Sequence, residues 1–126
     1  HAIREQNPDL IIVSGDMYTS LPGKETIAAQ KLMEELAKSY SVYYANGNHE
    51  QKTREETEEF GSLYEDYRKK LSGMGIHFLS NEHVYLKDYN ISLYGLEIIT
   101  ESSVSRFSER LGCRSTWECR IRAPFI

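Results

Sequence analysis

The segment Pro8-Asp9-Leu10-Ile11-Ile12-Val13-Ser14-Gly15-Asp16, residues 8–16, joins a strand to a turn that ends in a carboxylate. Leu10 to Val13 form a continuous aliphatic run, and a run that is apolar on both faces is typical of a parallel strand between helices. Ala2 to Asn7 are predicted to end a helix, because Pro8 cannot continue a helix and disfavours helical backbone at the residue before it. The opening of the chain therefore predicts a helix end, a buried strand and a turn.

A helix and a second strand follow this segment. Lys24 to Ser39 are predicted to form an amphipathic helix, because apolar side chains recur at steps of three and four: Ala29, Leu32, Met33, Leu36 and Tyr40. Ser41 to Ala45 form a second short apolar strand, which ends at Asn46-Gly47-Asn48-His49-Glu50. A strand, a helix and a strand in this order cross over with the strands parallel, so that their carboxyl ends meet at one edge of the sheet. We therefore expect Asp16 and Asn48 to lie beside each other.

The sequence after Glu50 predicts shorter helices and strands. Lys52 to Glu59 are highly charged and are predicted to be a solvated loop or a first helical turn. An amphipathic helix follows and is stopped by Gly73 and Gly75; its apolar face comprises Phe60, Leu63, Tyr64, Tyr67 and Leu71. The turns beyond it favour a meander of three short strands, Ile76–Leu79, His83–Leu86 and Ile91–Leu96. The predicted fold class is α/β, with a parallel βαβ core followed by a short-strand meander.

Composition restricts the class of protein. A chain of 126 residues fits one globular domain. Its longest uninterrupted aliphatic run, Leu10 to Val13, is far shorter than the roughly 20 apolar residues of a membrane-spanning helix. A net charge of −4 without a basic stripe disfavours nucleic-acid binding. Cys113 and Cys119 match neither a zinc knuckle nor a redox pair, which indicates a reducing compartment. We expect a cytoplasmic protein without a membrane segment, although a longer parent could associate with a membrane peripherally.

The two turns carry the candidate catalytic and metal-binding residues. Gly15 and Gly47 let the chain turn sharply, and the residues that follow them present short oxygen-bearing side chains. The Asp16 carboxylate can bridge two cations, the Asn48 amide oxygen adds a hard donor without charge, and the His49 imidazole can deliver a proton. These are the components of a site for metal-assisted hydrolysis of a phosphate ester.

Residues 8–16 and Gly47-Asn48-His49-Glu50 together resemble the calcineurin-like metallophosphoesterase superfamily. The resemblance extends over about residues 1–100. Within it, residues 75–81 and 91–97 are similar to the corresponding segments of small bacterial members. It implies a partial metallophosphoesterase sandwich, a phosphate-ester substrate and two divalent metal ions, which could be Mn, Fe, Zn or Mg. It also implies that Asp16 is the bridging carboxylate, that Asn48 binds the second metal, and that His49 protonates the leaving oxygen or steadies the transition state. Glu50 stands where many relatives carry an acid, and the resemblance suggests that this acid orients the histidine.

The chain also departs from the family pattern. Members begin with a D-x-H motif and later supply an isolated histidine and a G-H-x-H motif, whereas no D-x-H precedes Pro8 and no histidine follows His83. Since three of the five ligand blocks of the family are missing, we expect a chain truncated at both ends and inactive as a fragment. The alternative is a non-catalytic remnant or an interaction module that retains the βαβ scaffold. A nucleotide-binding domain is set aside, because no glycine-rich phosphate loop follows the first strand.

The end of the chain differs in composition from the rest. Residues 1–126 are predicted to be one partial phosphoesterase domain, in which residues 101–126 form an atypical tail. Five of the eight arginines, both cysteines and Trp117 follow residue 105. Two interpretations stay open for the residues from about Gly112 onward: a foreign reading frame or an ordinary surface-helix tail. His77 and His83, in the predicted meander, are interpreted as residues of packing or of a solvated edge and not as metal ligands.

Overall fold

The computed structural model describes residues 2–21 and 26–97. In chain order, the helices and strands are α1 (Ala2–Glu5), β1 (Leu10–Val13), α2 (Ile27–Ala37), β2 (Ser41–Tyr44), α3 (Asn48–Glu55), α4 (Thr57–Phe60), α5 (Leu63–Gly73), β3 (His77–Phe78), β4 (Glu82–Leu86) and β5 (Ile91–Gly95). The α/β class predicted from the sequence is confirmed. The predicted tail, residues 101–126, lies outside the described residues, as do residues 24 and 25 of the predicted second helix.

The main sheet is parallel, with strand order β1-β2-β3. Leu10 lies opposite Ser41 and Val13 opposite Tyr44, so the first two strands run in register to the same edge. The β1-α2-β2 crossover is therefore present as predicted. Because both strands end at this edge, the turns that follow them, at residues 14–16 and 45–47, are brought together.

The predicted meander is divided between two sheets. β3 joins the main sheet, where Tyr43 lies opposite His77, because the intervening helices supply the long connection that a parallel strand needs. β4 and β5 form an antiparallel hairpin in which Leu86 lies opposite Ile91. Only the last two predicted strands therefore pair as a meander would.

One face of the main sheet is covered. The core contains side chains from β1, β2, α2 and α5, including Val13, Val42, Met33, Leu36 and Leu71. On the opposite face, 58% of Ile12 is exposed. The prediction that the first strand is buried on both faces is therefore wrong for this part of the chain, since an alternating strand covered on one side buries only every second residue.

The charged segment Lys52 to Glu59 is helical, whereas it was predicted to be a loop or a first turn. α3 begins earlier, at Asn48, because the backbone of Gly47 is extended and leads into the helix. Glu50 accepts the Gly47 N–H at 3.0 Å, which satisfies one of the orphan donors at this helix end. Gly61, with a φ of 58°, then separates α4 from α5. None of the helices in residues 2–21 and 26–97 has the length and apolar character to cross a membrane.

Buried tyrosines lie beneath the edge at which the strands end. Tyr44 and Tyr67 are fully buried, and their hydroxyl oxygens lie 3.2 Å apart. Tyr18 packs edge-on against the Tyr67 ring, with 4.9 Å between the ring centroids. Burial raises the pKa of Tyr67 to about 12 and also raises the pKa values of Tyr18 and Tyr44, because a phenolate loses its hydration in this environment.

These raised pKa values predict a loss of stability in alkali. Above about pH 10 the unfolded phenols ionise while the folded ones stay protonated, so the unfolded state binds fewer protons and the free energy of unfolding falls as pH rises. For Tyr67 this window extends from about pH 10 to about 12. Tyr67 contributes a slope of about 1 kcal/mol per pH unit within this window, since the upper limit for one proton is about 1.4.

Urea denaturation between about pH 10 and 11 measures this slope. Tyr67→Phe is expected to flatten it by about 1 kcal/mol per pH unit, because only part of the unfolded phenol is ionised near pH 10. The matched control, Tyr94→Phe, removes a phenol that is 68% exposed and should leave the slope as it is. Equal slopes in wild type and Tyr67→Phe would contradict the assignment.

Candidate active site

The turns after β1 and β2 touch through their backbones. Gly15 has a φ of 88°, and a Cβ at this position would overlap the backbone nitrogen of Gly47. A Cβ on Gly47 would in turn overlap the Asp16 side chain. Asp16 itself has a φ of 56°, a left-handed conformation that aspartate and asparagine tolerate better than most residues. Glycine is therefore required at both positions, because the two turns approach more closely than a side chain permits.

The Glu50 carboxylate holds the two turns in place. Its Oε2 accepts the Asp16 N–H at 2.8 Å and the Gly47 N–H at 3.0 Å. Its Oε1 accepts the Met17 N–H at 2.9 Å and the Tyr44 hydroxyl at 2.6 Å. The side chain is fully buried. Since burial of a carboxylate is costly without hydrogen bonds, these four donors fix the positions of both turns together.

This geometry corrects the role expected of Glu50. The resemblance suggested that Glu50 orients the histidine, but both of its oxygens are bound by backbone N–H groups and by Tyr44. The hydrogen bonds of the His49 ring are instead made to Ser20. Glu50 thus positions the backbone of the site and not the imidazole.

Asp16, Asn48 and His49 converge as the crossover predicted. The His49 N–H donates to Asp16 Oδ1 at 3.1 Å, so this carboxylate caps α3, whose N-cap residue, Gly47, has no side chain to do so. With the Asn48 amide nitrogen turned toward Asp16, it donates to Oδ2 at 2.8 Å and to Oδ1 at 2.9 Å. With the amide oxygen turned toward Asp16, oxygen acceptors face one another, an arrangement that a cation between them would stabilise.

The donor set fits part of a metal site. Asp16 and Asn48 are both exposed, and their oxygens are hard donors of the kind that Mg²⁺ and Mn²⁺ accept. Within residues 2–21 and 26–97, no group of three or more histidine, cysteine, aspartate or glutamate side chains could hold a metal ion. Asp16 and Asn48 therefore offer two oxygen donors, which are fewer than a metal centre needs.

The imidazole ring of His49 is held in place by hydrogen bonds to Ser20. The Ser20 N–H donates to His49 Nδ1 at 3.0 Å, and the Ser20 hydroxyl oxygen lies 2.9 Å from the same nitrogen. Ser20 is buried and stands four residues after Asp16, at a position that the motif does not mark. Sequence reasoning missed it, because a backbone donor leaves no signal in the sequence.

A second polar cluster, which sequence reasoning also missed, supports the turn after β2. Asn46 is buried, and its amide nitrogen donates to the Tyr64 hydroxyl at 2.7 Å and to Glu97 Oε1 at 3.2 Å. Arg54 Nη1 lies 3.4 Å from Glu97 Oε2. Because Asn46 directly precedes Gly47, this cluster links the end of the hairpin to the turn that carries Asn48.

The other two described histidines lie apart from these residues. The His77 ring stacks on Tyr43 with 5.0 Å between centroids, and the His83 ring stacks on Tyr94 at 5.3 Å. These contacts agree with the interpretation of both residues as packing residues on sheet surfaces.

The parallel three-stranded sheet, together with the small antiparallel sheet, is consistent with a partial metallophosphoesterase fold. A comparison with family models matches residues 1–118 to the calcineurin-like phosphoesterases, and the chain therefore belongs to this family. The family supports a metal-dependent phosphoesterase class and phosphate-ester substrates in general. The match extends beyond residue 100, where the resemblance seen in the motifs ends. The chain matches no curated protein and no solved structure.

The role of Glu50 predicts a stability effect. Glu50→Gln replaces one acceptor oxygen by an NH₂ group that faces backbone N–H donors, so at least one buried donor loses its partner. We expect the free energy of unfolding to fall by about 3 kcal/mol, the magnitude of a lost hydrogen bond to a buried charged group. Urea denaturation followed by circular dichroism measures it.

Glu58→Gln is the matched control, because Glu58 is exposed on α4 and the same exchange there should change stability by less than about 0.5 kcal/mol. Equal effects of the two exchanges would show that Glu50 does not hold the turns.

Proposed function

We propose that Asp16 and Asn48 bind a divalent cation for the hydrolysis of a phosphate ester, and that His49 acts on the phosphoryl group or the leaving oxygen. The observation that carries this proposal is that the Asp16 carboxylate and the Asn48 side-chain amide adjoin at the carboxyl edge of the parallel strands, where rotation of the amide turns its oxygen toward Asp16. Membership of the calcineurin-like phosphoesterase family supports the reaction class.

Each side chain has a separate task in this proposal. Asp16 supplies the negative charge that attracts the cation, and Asn48 adds a neutral oxygen. When bound, the cation supplies charge neutralisation for phosphoryl oxygens and a more acidic water. His49 is half-buried beside these donors, and from there it protonates the leaving oxygen or steadies the transition state. Mn, Fe, Zn and Mg are all compatible with oxygen donors of this kind, and a pair of such ions is the proposed cofactor.

The small number of metal-binding side chains limits the activity expected of the chain by itself. Within the described residues, no group of three or more histidine, cysteine, aspartate or glutamate side chains could hold a metal ion, so the cation affinity is expected to be weak. We therefore propose that the 126-residue chain binds cations through Asp16 but does not turn over phosphate esters. The same observation favours a second candidate, a non-catalytic remnant that keeps the βαβ scaffold as an interaction module, and such a remnant would have no cation site at Asp16.

Cation binding separates the two candidates. Asp16→Asn retains an oxygen that can accept the His49 N–H, so the helix cap and the fold should survive, but it removes the carboxylate charge. We expect calorimetric titration with Mn²⁺ to show at least about a tenfold loss of affinity, equivalent to about 1.4 kcal/mol. The matched variant, His49→Ala, changes the neighbouring residue without removing a proposed ligand and should bind Mn²⁺ as the wild type does.

Equal affinities in wild type and Asp16→Asn, or no binding to either, would overturn the proposed cation site and favour the remnant. Hydrolysis of p-nitrophenyl phosphate and of its bis ester by the wild-type chain is the second readout. Turnover would show that further ligands are dispensable, and turnover undiminished in His49→Ala would contradict the role of His49.

A further inference from the structure

The Glu97 side chain, two residues after β5, contacts three other parts of the chain. Its Oε1 accepts the Asn46 amide N–H at 3.2 Å, in the turn after β2, and the Ser80 hydroxyl at 2.5 Å, after β3. Its Oε2 lies 3.4 Å from Arg54 Nη1 on α3. Only 12% of the side chain is exposed, so these partners replace the water that an exposed carboxylate would bind.

The backbone that carries Glu97 is held as well. The Glu97 N–H donates to Asn81 Oδ1 at 3.0 Å. Gly95, the last residue of β5, lies so close to Leu79 that a Cβ on Gly95 would overlap the Leu79 side chain. The end of the hairpin is therefore tied to the turn after β3, and the Glu97 carboxylate approaches the sheet edge from a defined position.

Two of the contacts of Glu97 lie on either side of Asn48 in the sequence. Asn46 precedes Asn48 by two residues, and Arg54 follows it by six. The buried Asn46 amide also donates to the Tyr64 hydroxyl at 2.7 Å, and the Arg54 guanidinium lies 5.8 Å from the centroid of the Tyr64 ring. Glu97 and Tyr64 together therefore hold the chain both before and after the segment that presents Asn48.

Glu97 and Glu50 act on this segment from different directions. β2 is the central strand of the main sheet, and Glu50 ties the turn after β2 to the turn after β1. Glu97 ties the turn after β2 to the opposite side, where Ser80 follows β3. The two carboxylates thus restrain the turn that carries Asn48 from both neighbouring strands, and neither replaces the other.

We propose that Glu97 is a positioning residue that holds Asn48 at the cation site through Asn46 and Arg54, so that the cation affinity of the site depends on how the hairpin is attached. The dependence of cation affinity rests on the proposed function, whereas the positioning of the turn does not. A charged acceptor makes stronger hydrogen bonds than a neutral one, and loss of this one carboxylate releases both contacts.

Hydrogen exchange of backbone amides tests the positioning role without metal or turnover. The Gly47 N–H is buried and bound to Glu50, so it exchanges only when the turn opens. In Glu97→Ala we expect it to exchange at least about tenfold faster, because hydrogen bonds to a charged group are lost. The amide of the buried Leu36 in α2 reports opening of the core and should accelerate less. An unchanged Gly47 rate, or an equal acceleration at Leu36, would overturn the proposal.

Glu97→Gln separates the two contacts and serves as the test if Glu97→Ala does not fold. It keeps an oxygen for the Asn46 N–H but loses the charge that faces Arg54, so Gly47 should exchange faster by a smaller factor, about threefold. No acceleration in this variant would contradict the part assigned to Arg54.

Tyr89→Phe is the matched control at the other end of the hairpin. The Tyr89 hydroxyl donates to the Asp9 carbonyl oxygen at 3.4 Å, before β1, so its loss loosens the hairpin away from the turn after β2. The exchange rate of Gly47 should stay unchanged. An acceleration equal to that in Glu97→Ala would show that any loosening of the hairpin opens the turn, and would overturn the specific role of Glu97.

Calorimetric titration with Mn²⁺ tests the effect on the cation site. Glu97→Ala should weaken binding about tenfold, as is common when a partner that orients a metal ligand is lost. Glu82→Ala removes the same charge from an exposed position on β4 and should bind Mn²⁺ as the wild type does. Equal affinities in wild type and Glu97→Ala, or equal losses in both variants, would overturn the dependence on the hairpin. Absence of Mn²⁺ binding by the wild-type chain would instead refute the proposed function, and hydrogen exchange would still decide the positioning role.

Discussion

The arrangement of the site depends on the buried carboxylate of Glu50. It has no cationic partner among its hydrogen bonds, and its charge is stabilised by three backbone N–H groups and one tyrosine hydroxyl. Those donors come from both turns and from β2, so the carboxylate is satisfied only when the two turns are together. The position of Asp16 relative to Asn48 is therefore coupled to the folding of the core through Tyr44.

The division between exposed and buried groups follows from this coupling. The residues proposed to meet a ligand, Asp16, Asn48 and His49, are exposed or half-buried, whereas Glu50 beneath them is fully buried. Buried tyrosines below the site provide hydroxyl partners for Glu50 and for one another. A ligand site supported in this way can stay open to solvent while its backbone is fixed by groups that solvent does not reach.

The sequence was sufficient to predict that Asp16 and Asn48 meet, because the handedness of a βαβ crossover and the shared edge of parallel strands leave little choice. It was insufficient for Glu50, which accepts hydrogen bonds from backbone N–H groups, and for Ser20, which donates its own backbone N–H to the His49 ring, because backbone donors have no sequence signature. The start of α3 was missed because residues 52–59 are all polar and show no apolar period, while the contact that caps this helix is a tertiary one, from the His49 N–H to Asp16. The exposed Ile12 was missed because a uniformly apolar strand does not reveal which of its faces is covered.

The central claim is that two neighbouring turns, held by one buried acid, bring a carboxylate and an amide to a common cation. The most direct measurement is a crystal structure of the chain soaked with Mn²⁺, with anomalous scattering used to locate the ion. The account predicts an anomalous peak at coordinating distance from both Asp16 and Asn48, with Glu50 bound to the backbone of both turns beneath it. A peak elsewhere on the chain, or side chains of Asp16 and Asn48 that face apart, would contradict it.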